Sequence, residues 1–137
     1  MDMEMTFPGG KRVDASYKGF VIKTDQPEHS GGGGAHPAPF DLFLASLGTC
    51  AGIYVLLFCQ ERNLPTDGLK LIQRTERDAQ SKMISRVSIE IRLPADFPDK
   101  YKNAVVKAAE LCAVKKHLGR PPSFDISAVK NARDSLG

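Results

Sequence analysis

Apolar and polar positions alternate over the first two dozen residues. Met3-Glu4-Met5-Thr6-Phe7 alternates and ends in the turn signal Pro8-Gly9-Gly10; Arg12 to Tyr17 alternates again. Lys18-Gly19 then marks a tight turn, and Phe20-Val21-Ile22 reads as a third short strand. A period of two broken by glycine turns predicts a three-stranded antiparallel meander. The pattern changes at residues 26–39, where Gly31-Gly32-Gly33-Gly34 is followed by Ala35-His36-Pro37-Ala38-Pro39. Four glycines do not hold a helix or strand interior, so this stretch reads as a flexible loop, long enough for a functional role.

From Leu42 to Cys59 there are 18 residues without a charge. Pro39 and Asp41 suit a first helical turn, and Pro65 suits a stop. A helix apolar on every face is buried all round or crosses a membrane. The rest of the chain is amphipathic and would have no core without it, so a core helix is the expectation and a membrane span is not. The small residues Ala45, Ser46, Gly48, Thr49, Ala51 and Gly52 permit close helix packing. In a chain this short, full burial calls for a second subunit, which points to a homodimer.

Leu69 to Arg77 and Ile84 to Leu93 alternate as two further strands, joined by a hairpin loop at Asp78 to Lys82. Pro94 to Pro98 is a break. Lys100 to Leu111 then spaces Tyr101, Ala104, Val105, Ala108 and Leu111 on one helical face. Gly119-Arg120-Pro121-Pro122 ends the helical region, and Phe124 to Val129 alternates as a final strand. The order β-β-β-α-β-β-α-β is that of a segregated α+β fold, with residues 1–137 as a single domain.

Composition narrows the function. Hydrophobic residues are 42% and charged residues 26%, an ordinary globular balance. The net charge of +3 is too small and too evenly spread to argue for nucleic acid. No Gly-Lys-Ser/Thr follows the glycine-rich loop, which weighs against nucleotide binding. Met1 to Phe7 carries two acids and no apolar core, unlike a secretory signal, so a reducing cytoplasmic setting is expected. No CxxC or HExxH spacing occurs, so neither a metal nor another cofactor is expected. His29 and His36 read as solvated loop residues, and the basic residues of the two later strands as a solvated face.

Three cysteines cannot all pair within one chain. Cys50 and Cys59 lie nine residues apart on one helix, about 13 Å along its axis, beyond the roughly 7 Å a disulfide spans. Cys112 remains as the intrachain partner open to Cys50. Lys115, Lys116 and His117 follow Cys112 closely, and nearby cations stabilise a thiolate. Spacing and composition leave Cys50 and Cys112 open between reactive thiols and small buried apolar residues. Cys59, near a helix end, reads as the latter.

Pro39-Phe40-Asp41-Leu42-Phe43-Leu44-Ala45-Ser46-Leu47-Gly48-Thr49-Cys50 resembles the OsmC/Ohr family pattern of a proline, a long apolar helix, a small-residue stretch and the first cysteine. Cys112-Ala113-Val114 is similar to the second, and the gap of 62 residues fits. The resemblance implies an OsmC-like α+β fold: an intertwined homodimer with antiparallel sheets wrapped around long buried central helices, and active sites at the subunit interface. It implies that Cys50 attacks a hydroperoxide and becomes a sulfenic acid, and that Cys112 resolves it as a disulfide. A dithiol, for which the family suggests a lipoylated protein, restores the pair. Arg12, after Gly9-Gly10, matches the family arginine that lowers the thiol pKa. Where the hydroperoxide-resistance branch has a glutamate after the proline, this chain has Phe40, with Asp41 the nearest acid. Two functions follow from the resemblance: a thiol peroxidase in oxidative-stress defence, or a non-enzymatic dimer that binds an apolar ligand at its interface.

Overall fold

The computed structural model describes residues 1–131. Strands β1 (Glu4–Gly9), β2 (Arg12–Tyr17) and β3 (Phe20–Thr24) form an antiparallel meander in that order. Lys18 and Gly19 both take positive φ, 46° and 80°, the geometry of a two-residue hairpin whose twist matches its strands. Helix α1 (Pro39–Glu61) follows the glycine-rich loop. Strands β4 (Lys70–Arg77) and β5 (Ile84–Arg92) then pair antiparallel as a separate two-stranded sheet. A 3₁₀ turn at Asp99–Tyr101 leads into α2 (Lys102–Ala109), and α3 (Ala113–Gly119) closes the helical region. The fold is α+β, with antiparallel sheets and three helices among the described residues.

Helix α1 starts with proline at its first position and an aspartate in its first turn, both suited to the unsatisfied N–H groups there. It ends where Asn63 turns left-handed (φ 52°) and Leu64 N–H returns to the Cys59 carbonyl at 2.9 Å. The hydroxyls on this apolar helix satisfy themselves locally: Ser46 donates to the Phe43 carbonyl at 2.6 Å and Thr49 to Ala45 at 2.9 Å.

The core is small and lies between α1, α2 and the β4–β5 face. Val55, Phe58 and Cys59 of α1 meet Phe97 and Val105, and Leu71, Ile91 and Ala108 pack around them. Phe58 also stacks edge-on against Tyr101 and carries the Arg62 guanidinium 3.8 Å above its ring. No described residue of the meander belongs to this cluster.

Within one chain helix α1 is buried along the stripe Leu47, Ala51, Val55, Phe58 and Cys59, and Ile53 and Leu57 on its other side are 46% and 43% exposed. One chain has too few elements to cover both sides of a 23-residue helix. The helix is also long and apolar enough to cross a membrane by length and composition. Its packed stripe and the β4–β5 sheet lying against it are features of a core helix. The helix read over Lys100 to Leu111 forms as α2, and a further helix, α3, follows the break at Cys112 and ends at Gly119. The predicted final strand at Phe124 to Val129 is absent: this stretch is irregular, with Phe124, Ile126 and Val129 between 80% and 95% exposed. Alternation makes a strand only where another strand supplies the ladder, and no described strand edge of this chain does so.

Candidate functional site

The break between α2 and α3 creates the site. Cys112 takes an extended backbone (φ −47°, ψ 122°) as the residue capping α3. Its sulfur accepts the Lys115 N–H at 3.5 Å, the role an N-cap oxygen ordinarily fills. Helix α1 runs past this point and presents Cys50, half-buried, against Cys112, which is 3% exposed. The Cys112 side chain is near enough to lower the Cys50 thiol, so the structure places close together the pair that the sequence singled out.

Backbone groups activate Cys50. The Val114 N–H holds the thiol below its ordinary range, with the Cys112 side chain and the Ala113 N–H adding to the effect and partial burial opposing it. No cation contributes to this shift. The Cys112 S–H donates to the Leu47 carbonyl of α1 at 3.9 Å.

The α1 segment carrying these groups is keyed to the sheet. Gln73 of β4 donates its amide Nε2 to the Leu44 carbonyl at 2.9 Å. Its Oε1 lies 2.6 Å from where a Cβ on Gly48 would stand. Gly48 therefore leaves the notch into which the amide fits, two residues before Cys50.

Arg12 is not brought to the cysteines within this chain. Its guanidinium lies 3.7 Å from Asp14 and near enough to Asp25 to favour that carboxylate. Arg12 Nε and Asp14 Oδ1 are buried without a hydrogen-bond partner among the described residues. Asp25, 2% exposed, organises the glycine-rich loop: its carboxylate accepts N–H groups from Gln26 at 2.7 Å, Ala35 at 3.1 Å and Gly33 at 3.5 Å. Those bonds hold it below the usual carboxylate range. The loop is thus pinned by a buried acid, contrary to the flexibility its composition suggests. A Cβ on Gly32 would come within 2.0 Å of the Gln26 carbonyl oxygen, so only glycine fits there.

Cys59 is fully buried, and burial pushes its thiol up, as expected for a packing residue. His29 is exposed, and His36 is half-buried. No group of three metal-ligating side chains occurs among the described residues. The polar face of the β4–β5 hairpin is solvated and laced by exposed pairs, among them Arg74–Glu90 at 3.1 Å. A groove of about 530 Å³ opens beside the cysteines, its wall formed by Leu47, Ile89, Val105, Val106, Leu118 and Cys112. Lysines after Cys112 are visible in the sequence, whereas the backbone N–H groups and Gln73 are not, apart from the hint of Gly48 two residues before Cys50.

A family model described as OsmC-like protein matches residues 31–127. Among solved structures, a Psychrobacter arcticus 273-4 protein described under osmotic stress induction and detoxification response is 24% identical with a TM-score of 0.71, over 83% of this chain and 85% of that one. A hypothetical protein from Aquifex aeolicus VF5 is 17% identical with a TM-score of 0.66, over 88% and 87%. An organic hydroperoxide resistance protein OsmC from Legionella pneumophila is 15% identical with a TM-score of 0.54, over 86% and 89%. At these identities the likeness is one of fold. No curated protein matches the chain.

Proposed function

The chain belongs to the OsmC-like protein family, and from that premise we propose that it is a cysteine-based peroxidase acting on organic hydroperoxides through a Cys50–Cys112 disulfide. The observation that carries the reading is the packing of Cys112 against α1, its S–H toward the Leu47 carbonyl at 3.9 Å, beside a Cys50 thiol lowered by the Val114 N–H and by Cys112 itself. A thiol set this way ionises more readily, and the thiolate is the nucleophile.

In the proposed reaction the Cys50 thiolate attacks the terminal oxygen of ROOH. The O–O bond breaks, Cys50 becomes a sulfenic acid, and the alkoxide takes a proton and leaves as the alcohol. Cys112 then attacks the Cys50 sulfur, the S–O bond breaks, water leaves and the disulfide forms. A dithiol reductant returns both thiols, in a reducing compartment such as the cytoplasm. The apolar groove beside Cys112 suits an organic R group better than hydrogen peroxide. No cofactor takes part in these steps.

A homodimer belongs to the proposal. The exposed side of α1, the meander outside the core and the exposed apolar residues Phe124, Ile126 and Val129 all favour a second copy as cover. Arg12 enters the reading only through that assembly, because within one chain Asp14 and Asp25 hold it. The same groove favours a second reading, binding of an apolar ligand without turnover. Steady-state consumption of cumene hydroperoxide with a dithiol separates them: turnover lost in Cys50→Ser supports the peroxidase, and equal rates in both proteins support ligand binding.

A further inference from the structure

We propose that the basic face of α2 and α3 is the docking surface for an acidic protein whose dithiol re-reduces the Cys50–Cys112 disulfide; this rests on the peroxidase reading above. The chain as a whole carries +3, but residues 99–120 hold six basic and two acidic residues, a net +4, which leaves the remainder at −1. The positive charge is concentrated in the one segment that forms the two helices flanking Cys112.

These cations are not used in packing or in thiol activation. Lys102, Lys107, Lys115, Lys116 and Arg120 are exposed. Among the described residues, only Lys102 of these five has a carboxylate partner, the solvated Asp99 at 3.4 Å. None of them contributes to the lowered Cys50 thiol. His117 is turned back onto its own helix, its Nδ1 2.7 Å from the Ala113 carbonyl. Lys102 and Lys115 line the groove that Cys112 lines, against the one acid Glu110, so the groove where a reductant must approach carries a net positive charge. Nucleic acid or anionic lipid would match the charge but brings no thiol. An acidic dithiol protein uses both the charge and the opening.

The exchange balances. A partner thiolate attacks the sulfur of Cys50, the more exposed cysteine of the two, and forms a mixed disulfide. The Cys50–Cys112 bond breaks, and Cys112 leaves as a thiolate and takes up a proton. The partner's second thiol attacks the mixed disulfide, frees Cys50 and closes a disulfide within the partner. Two partner thiols are oxidised and two thiols of this chain are restored.

The test begins with the disulfide formed by diamide and verified by intact mass. Its reduction is followed with dihydrolipoamide, with a dihydrolipoyl group on a glutamate-rich peptide, and with the same group on a lysine-rich peptide. In wild type the glutamate-rich probe is faster than the lysine-rich one by about tenfold at low salt, and the two converge in 1 M salt. K107E/K116E/R120E inverts that order and leaves the dihydrolipoamide rate unchanged, which also reports a folded site. K107Q/K116Q/R120Q brings the two peptide rates together without charge reversal. Equal peptide rates in wild type, or an undiminished preference in the glutamine variant, would overturn the docking surface. Failure of diamide to join Cys50 to Cys112 would overturn the redox pair itself, a result distinct from loss of the charge preference.

Discussion

The backbone N–H of Val114, two residues beyond Cys112, lies near enough to Cys50 to lower its thiol. Two helices distant in sequence thus meet such that the first turn of α3 serves one thiol through its N–H groups and is capped by the other. Side-chain cations are not needed to lower the Cys50 thiol in this arrangement.

The lowered thiol gives a pH signature. The thiolate is the reactive form, so alkylation of Cys50 by iodoacetamide rises with pH and levels off below the range of an ordinary cysteine, roughly pH 8.5. Ala113→Pro removes one N–H donor while keeping a helix start, because Cys112 already has the extended backbone that suits a residue before proline. The inflection then moves up, and the alkylation rate below it falls. An unchanged profile in Ala113→Pro would remove that N–H from the account.

The other cysteines separate by role. Cys112→Ser undergoes one oxidation per subunit and then stalls or over-oxidises, read as sulfinic acid by mass. Cys59→Ser keeps full peroxide consumption but loses about 1–3 kcal/mol of stability by denaturant titration, because a hydroxyl is buried without a built partner. Loss of turnover in Cys59→Ser with normal folding would contradict this assignment.

Asp25 makes the loop before α1 pH-sensitive. Its carboxylate is held below the usual range, so its contribution to stability is complete above the ordinary aspartate pKa near 3.8 and is lost as pH falls through the lowered folded value. Thermal unfolding between pH 2 and pH 6 shows a steeper acid decline in wild type than in Asp25→Asn. Parallel curves for the two proteins would contradict it.

Gly48→Ala places a methyl group where the Gln73 amide sits. The flexible amide moves aside and its bond to the Leu44 carbonyl is lost, costing about 1 kcal/mol and lowering Tm by about 4 °C. Gln73→Leu reproduces the loss. A Gly48→Ala protein as stable as wild type would show that the notch is not tight.

The exposed side of α1 predicts a dimer in solution. Light scattering gives twice the chain mass of 14.9 kDa, and Ile53→Lys shifts the protein toward monomer. A wild-type monomer at tens of micromolar would contradict the assembly.

Much of the fold was legible because it is local. The alternation in β2 and β5 and the Lys18-Gly19 turn fix their own geometry, and the charge-free run before Cys59 marks α1. One-sided burial of α1 was not legible, because the residues that pack on a helix come from elsewhere in the chain or from another chain. The break at Cys112 was hidden because a thiol does the capping usually done by Ser, Thr, Asp or Asn. The residues 124–129 carry a strand pattern without a strand edge to meet it. At the site, the resemblance pointed to Cys50 and Cys112, but every residue carries an N–H, so no sequence marks the two that serve Cys50. Arg12 matched a motif; Asp14, two residues on along β2, shares its strand face, whereas Asp25 is brought near it only by the fold.

The most direct test is intact-mass analysis of the reduced protein after one equivalent of cumene hydroperoxide, followed by peptide mapping. The account predicts rapid loss of two hydrogens, mapped to a Cys50–Cys112 disulfide and reversed by a dithiol. Slow oxidation scattered over methionines and Cys59, with Cys50 and Cys112 still reduced, would contradict it.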